Sequence, residues 1–188
     1  MEYIEVEQKF VLPDAAALRE ALEQRGAKPG ATDRQVDTYY NAPHRDFLAP
    51  GTVSEWLRIR RQDTGAPSIN FKRWHPIDAA VKTHADEYET AVTDPEAIRL
   101  LLAALDFTEI AVVDKTREEW HLTGQTPTIV AIDTIAGLGT FVEFEFTGDA
   151  ADAADASAQL TMLIGSLGVV LGDRVNRGYP HMILGRER

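Results

Sequence analysis

Two glutamates and a lysine stand at every second position near the N-terminus: Glu5, Glu7 and Lys9 in "EVEQKF". On a β-strand, alternate side chains share a face. This spacing therefore puts two carboxylates and an ammonium on one side, and Val6, Gln8 and Phe10 on the other. Carboxylates are hard oxygen ligands suited to Mg2+ or Mn2+. Arg offers phosphate oxygens a planar fork, and Lys a compact point charge. The same alternation recurs along the chain. "EWLRIRR" puts Arg58 and Arg60 on one face, and "INFKRW" aligns Asn70 with Lys72. "DEYET" aligns Glu87 with Glu89, and "VDKTREEW" aligns Lys115, Arg117 and Glu119. "VAIDTI" sets Asp133 between Ile132 and Thr134, and "TFVEFEFTG" aligns Glu143 with Glu145.

A solvated sheet face accounts for any one of these strands. It does not account for their order, with paired Glu on the first and last strands and Arg-x-Arg, Lys and Lys-x-Arg between them. In a closed sheet, interior positions alternate with exterior ones along each strand. Closing this sheet would gather both signs of charge inside, as binding a metal-complexed polyanion requires.

The elements that would position these residues follow from periodicity. Strands are expected at 2–11, 35–41, 54–62, 67–74, 85–92, 109–121, 128–135 and 139–147. Helices are expected at 14–26, 94–105 and 155–168, with a short one near 177–184. Pro13 and Asp14 signal the first helix start and Gly26 its stop; Asp94 and Pro95 open the second. "QDTGAPS" and "AGLG" are turn sequences between strands. No repeat and no linker divides the chain, so a single antiparallel α+β domain over 1–188 is expected. Its apolar strand faces would be covered by the helices.

Composition narrows the function. The 188 residues include no cysteine, which excludes disulfides and thiolate metal sites. The formal net charge of −11 repels nucleic acid and anionic lipid as whole-surface partners. The acidic start is not a signal peptide, and no run approaches ~20 apolar residues, so a cytoplasmic protein without membrane contact is expected.

Taken in order, the motifs resemble those of CYTH proteins, the triphosphate tunnel metalloenzymes, which unite class IV adenylate cyclases, thiamine triphosphatases and inorganic triphosphatases. "EVEQK" is similar to the Glu-x-Glu-x-Lys signature that opens the family. "DTYYNAP" (37–43), "LRIR" (57–60), "INFK" (69–72) and "EYE" (87–89) follow in the family's order. So do "DKTRE" (114–118), "AIDTIAGLGTFVEFE" (131–145) and "NRGYPHMIL" (176–184). The resemblance implies an eight-stranded antiparallel β-tunnel with helices packed outside. It implies Mg2+ or Mn2+ held by Glu5, Glu7, Glu143 and Glu145, with Asp133, Glu87 and Glu89 contributing. It implies a triphosphate held by Lys9, Arg58, Arg60, Lys72, Lys115 and Arg117, with Tyr39 and Lys72 as a catalytic pair. An ammonium beside a phenol favours phenolate, so a lowered Tyr39 pKa is expected. Two positions depart from the pattern: Ala85, where many relatives carry Arg, and Gly178, where many carry Ser.

Three functions follow as alternatives. The first is a triphosphatase acting on tripolyphosphate or an organic triphosphate such as thiamine triphosphate. The second is a class IV adenylate cyclase, and the third a non-catalytic polyphosphate or nucleotide binder. The partner in each case is a small molecule, and homodimerisation is compatible with all three. The five histidines lack metal-ligand spacing, and the three tryptophans read as packing residues; Trp74, which shares parity with Lys72, is the one best placed to meet an organic group.

Overall fold

The computed structural model describes residues 4–49, 53–77, 79–124 and 126–185. Its frame is one antiparallel sheet that closes on itself. The strands are β1 (Ile4–Glu5), β2 (Glu7–Val11), β3 (Lys28–Asn41), β4 (Glu55–Gln62), β5 (Ser68–His75), β6 (His84–Ala91), β7 (Thr108–Leu122), β8 (Thr128–Ile135) and β9 (Gly139–Phe146). Their order in the sheet is β1-β6-β5-β4-β3-β7-β8-β9-β2. The two edges, β1 and β2, are consecutive pieces of the same N-terminal segment. Glu5 lies opposite Ala85 of β6, whereas Glu7 lies opposite Glu145 of β9. The expected first strand thus becomes two, divided at Val6, and the expected eight-stranded tunnel is counted as nine segments among the described residues. Residues 2 and 3 of that expected strand lie outside the described residues.

Parity sorts the wall as the sequence predicts. The outward set includes Val6, Val130, Ile132, Val142 and Phe144, all buried. Helices α1 (Ala15–Gln24) and α3 (Ala153–Ser166) cover them with Leu18, Leu22, Ala156 and Leu160. Burying a leucine of this kind stabilises by roughly 1.5–3 kcal/mol. Helix α2 (Pro95–Ala104) lays Leu102 on Tyr40 and Ile59. Each of the three helices starts at an Asp whose carboxylate accepts two backbone N–H groups: Asp14, Asp94 and Asp152. Asp152 moves the start of α3 two residues ahead of the expected one.

The largest difference from expectation is β3, which begins at Lys28 rather than 35. A Pro-Gly pair favours a turn, but the strand absorbs Pro29 and Gly30 in an irregularity between Pro29 and Thr32 while pairing with β7. A Cβ on Gly30 would stand 3.0 Å from His121 Nε2, so this close approach of the two strands favours glycine. The inside is not polar throughout. Tyr39, Trp56, Val113, Ile135 and Phe141 form an apolar cluster with Tyr179 of the short helix α4 (Tyr179–Ile183).

Candidate active site

Beyond that cluster, the tunnel contains a cavity of about 260 Å³ lined by charged side chains from both ends of the sheet order. Its two walls differ. One is built by the cations of β4 and β7 with Lys9 of β2, backed by Asp37 of β3, Asp133 of β8 and Glu143 of β9. The other is built by Glu5, Glu7, Lys72, Glu87 and Glu145 of β1, β2, β5, β6 and β9.

The first wall carries cations backed by buried carboxylates. Arg60 Nε and Nη2 donate to the two oxygens of Asp37 at 2.7 Å each, and Arg58 Nη1 lies 3.4 Å from Asp37 Oδ2. Burial pushes the Asp37 pKa up, but Arg58 and Arg60 outweigh it and hold the carboxyl well below the usual range. Asp133 acts in the same way on β8. It accepts from Lys115 Nζ at 3.0 Å, from Arg117 Nε at 2.8 Å and Nη2 at 2.6 Å, and from the Tyr179 hydroxyl at 3.0 Å. Glu143 bridges Lys9, at 2.8 Å, and Arg117. For Lys9, burial works against the charge, but Glu143 and Glu7 together raise its pKa. Lys115 moves the other way, down to about 8, because burial and the neighbouring Arg117 outweigh Asp133 and Glu143.

The second wall has more carboxylates than cations. Lys72 Nζ stands 2.5 Å from Glu5, 3.1 Å from Glu7 and 3.9 Å from Glu87. Register places Lys72 directly opposite Glu87. Burial raises Glu5 well above the usual carboxylate range; Lys72 opposes this, while Glu7 and Glu87 add to it. Glu145 is pushed up to about 7, by burial first, with Lys72 opposing and Glu7 and Glu87 adding. Glu87 is held down at about 2, its burial outweighed by Lys72, Glu5 and Arg58. Glu5 Oε2 is buried, and its close partner is the Lys72 ammonium.

Most predicted residues converge on this cavity. Glu5, Glu7, Lys9, Tyr39, Arg58, Arg60, Lys72, Glu87, Glu89, Lys115, Arg117, Glu143 and Glu145 all line it. Three expectations need correction. Asp133, expected among the metal ligands, does not line the cavity: its side chain is 0 % exposed and its oxygens accept from Lys115, Arg117 and Tyr179. Glu143 does reach the cavity, but its oxygens are engaged by Lys9 and Arg117, which places it with the first wall. Tyr39 and Lys72 line the same cavity without forming a pair. The Tyr39 hydroxyl interacts with Arg58, and its pKa rises, through burial and then Asp37, instead of falling. Its ring packs edge-on against Trp56 at 5.6 Å.

Sequence reasoning missed Asp37 and Tyr179. Asp37 shares parity with Tyr39 in "DTYY", and that is the signal that would have found it. The two departures also find reasons. Ala85 lies opposite Trp74 and opposite Glu5, and Lys72 Nζ sits 4.4 Å from the Trp74 ring centroid; a small residue leaves room there. A Cβ on Gly178 would approach Trp56 Nε1 to 3.2 Å. Lys82, near Ala85 in sequence, donates to Ser54 Oγ and to the carbonyls of Pro76 and Ile77.

Comparison with known proteins agrees with this architecture. The PH1819 protein of Pyrococcus horikoshii OT3 is 27% identical, with a TM-score of 0.78 over 96% of this chain and 98% of that one. A Vibrio parahaemolyticus protein provisionally assigned as an adenylate cyclase is 21% identical, with a TM-score of 0.76 over 96% and 97%. A Hippeastrum protein provisionally assigned as an adenylyl cyclase, and described as revealing a dominant triphosphatase activity, is 15% identical, with a TM-score of 0.66 over 97% and 96%. These last two likenesses are of fold. No curated protein matches the chain in sequence. Among the described residues, no helix is long and apolar enough to cross a membrane. The sequence profile of the CYTH domain, a family of metal-dependent tunnel enzymes, matches residues 3–179. With that match across nearly its whole length, the chain belongs to the CYTH domain family.

Proposed function

We propose that the protein is a Mg2+- or Mn2+-dependent triphosphatase that hydrolyses inorganic tripolyphosphate or an organic triphosphate such as thiamine triphosphate. The observation that carries this reading is the pairing of a cation-rich wall with a carboxylate-rich wall across one cavity. Lys9, Arg58, Arg60, Lys115 and Arg117 hold the phosphate oxygens, with their forks and ammoniums aimed by Asp37, Asp133 and Glu143. This preorganised positive wall is suited to stabilising charge that spreads over a transferring phosphoryl group.

The donor chemistry of the second wall fits a divalent cation. Glu5, Glu7, Glu87 and Glu145 share one lysine, and the pKa values of Glu5 and Glu145 are raised by burial first and then by the neighbouring glutamates, with Lys72 opposing. Among the described residues, no group of three such side chains is yet gathered to hold a metal ion; Lys72 stands among them. These four glutamates would hold the metal, which when bound supplies Lewis-acid charge to phosphate oxygens. Lys72 then serves as the cation shared between the carboxylates and the phosphate. Tyr39, held protonated by its burial, orients as a hydrogen-bonding group beside Arg58 rather than acting as a base. The dominant triphosphatase activity described for the Hippeastrum protein supports hydrolysis over cyclisation.

Product analysis tests the proposal. Pure protein with Mg2+ or Mn2+ is incubated separately with tripolyphosphate, thiamine triphosphate and ATP. Orthophosphate from one of the first two, lost in Glu7→Gln, is the expected result. Cyclic AMP and pyrophosphate from ATP would replace this reading with the cyclase, and tight binding without product would replace it with a binding module.

A further inference from the structure

We propose that Tyr179 is a positioning residue for the triphosphate site, delivered by the C-terminal segment to set the spacing of Lys9, Lys115 and Asp133. The inference rests on reading the cation wall as the triphosphate cradle.

The Lys9 ammonium lies 4.0 Å from the centroid of the Tyr179 ring, and the Lys115 ammonium 5.3 Å from the same centroid. Both separations are within cation–π range. A carboxylate in this place would draw the two lysines together and cancel their charge. A ring draws them together and leaves the charge for an incoming anion. The Tyr179 hydroxyl donates to Asp133 Oδ2 at 3.0 Å, the same oxygen that receives Lys115 and Arg117. One side chain therefore touches two cations and the counter-ion of a third.

Its own position is fixed. Phe141 packs on the ring at 5.4 Å, and Gly178 seats the preceding backbone against Trp56. Upstream, the segment adds to the edge of β2: Val11 N–H donates to Asp173 O at 3.0 Å, Gly172 N–H to Val11 O at 2.9 Å and Val175 N–H to Lys9 O at 2.8 Å. The C-terminal segment thus holds Lys9 by its backbone and by its side chain.

Titration calorimetry with tripolyphosphate in chelator, where turnover is stopped, tests the inference on Tyr179→Phe and Tyr179→Leu. The phenylalanine keeps the ring and loses the hydroxyl; its affinity is expected to fall about threefold to tenfold. The leucine loses both, and a fall of about thirtyfold is expected. With Mg2+ present, KM should rise more than kcat falls, and Mn2+ binding to the opposite wall should stay as in the wild type. Affinities within twofold of wild type for both variants would overturn the inference, as would a loss confined to kcat. If Tyr179→Leu does not fold, Tyr179→Phe decides alone on the same twofold criterion. A wild type that binds no tripolyphosphate, with or without Mg2+, would overturn the cradle reading itself and this inference with it.

Discussion

The two walls of the tunnel solve opposite electrostatic problems. Behind the arginines and lysines of β4 and β7 lie Asp37 and Asp133, with side chains 1 % and 0 % exposed, each engaged by two cations. Facing them, Glu5, Glu7, Glu87 and Glu145 crowd around Lys72. The first wall is complete in the chain as it stands, because its charges are paired within it. The second is short of positive charge, and there burial, with the neighbouring glutamates adding to it, raises the pKa of Glu5 and Glu145 against the pull of Lys72. Fixed cations with buried partners make a preorganised anion cradle. Under-neutralised carboxylates make a surface that an added cation improves.

Three experiments break or sharpen this contrast. The largest effect is expected from Glu5→Gln. Burial raises the Glu5 pKa in the metal-free chain, so its charge is costly there and the amide should leave the melting temperature in chelator unchanged or raised. Metal-dependent turnover should nonetheless fall by about a hundredfold or more, as expected when a ligand to a Lewis-acid metal is removed. Wild-type turnover in this variant would remove the second wall from the metal site.

Asp37→Asn addresses the first wall. It leaves Arg58 and Arg60 buried without their carboxylate, and breaking a buried pair from one side costs about 3–5 kcal/mol. Urea unfolding should show that loss with or without metal. A change below about 1 kcal/mol would mean that solvent, not Asp37, neutralises the arginines.

The smallest effect is in the pH dependence of the metal-free protein. Glu145 has its folded pKa raised to about 7 from an ordinary 4.5. Its contribution is therefore present below pH 4.5 and lost as pH rises through 7. Glu87 runs the other way: its contribution is present above pH 4.5 and lost as pH falls through about 2. Between pH 5 and 7.5 the Glu145 trend operates and the raised Glu5 adds to it, so melting temperature in chelator should decline over that range. The partly exposed His84, its pKa lowered by burial and His75, works against the decline. Glu145→Gln should flatten the decline, and Mn2+ at pH 7.5 should reverse it in the wild type. A flat wild-type profile would contradict the shortage of positive charge.

Much of this was legible in the sequence, because alternation assigns each charged residue to a face. Glu5, Glu7 and Lys9 did line the interior, as did Arg58, Arg60 and Lys115. Depth below a face is not written in the alternation. Asp133 shares parity with the lining residues, yet it lies beneath Lys115 and Arg117, and only their convergence from β7 reveals it as a counter-ion. Tyr39 and Lys72 do not pair in this structure for a related reason: three glutamates from β1, β2 and β6 compete for Lys72, and strand spacing does not rank competitors. The first residues of β3 were hidden by Pro29 and Gly30, which carry a turn signal that the long pairing with β7 overrides.

The division of the N-terminal strand at Val6 has a consequence for how the ring can breathe. Residues on either side of it belong to different hydrogen-bond ladders, Glu5 to that of β6 and Glu7 to that of β9. Val6 itself still accepts the Phe146 amide at 2.9 Å. Amide exchange along this one strand should therefore split into two rates, with Ile4 and Glu5 following β6 and residues 7–11 following β9. Closure of the tunnel is in this sense a joint rather than a weld, and it falls between two of the glutamates that a divalent cation would draw together.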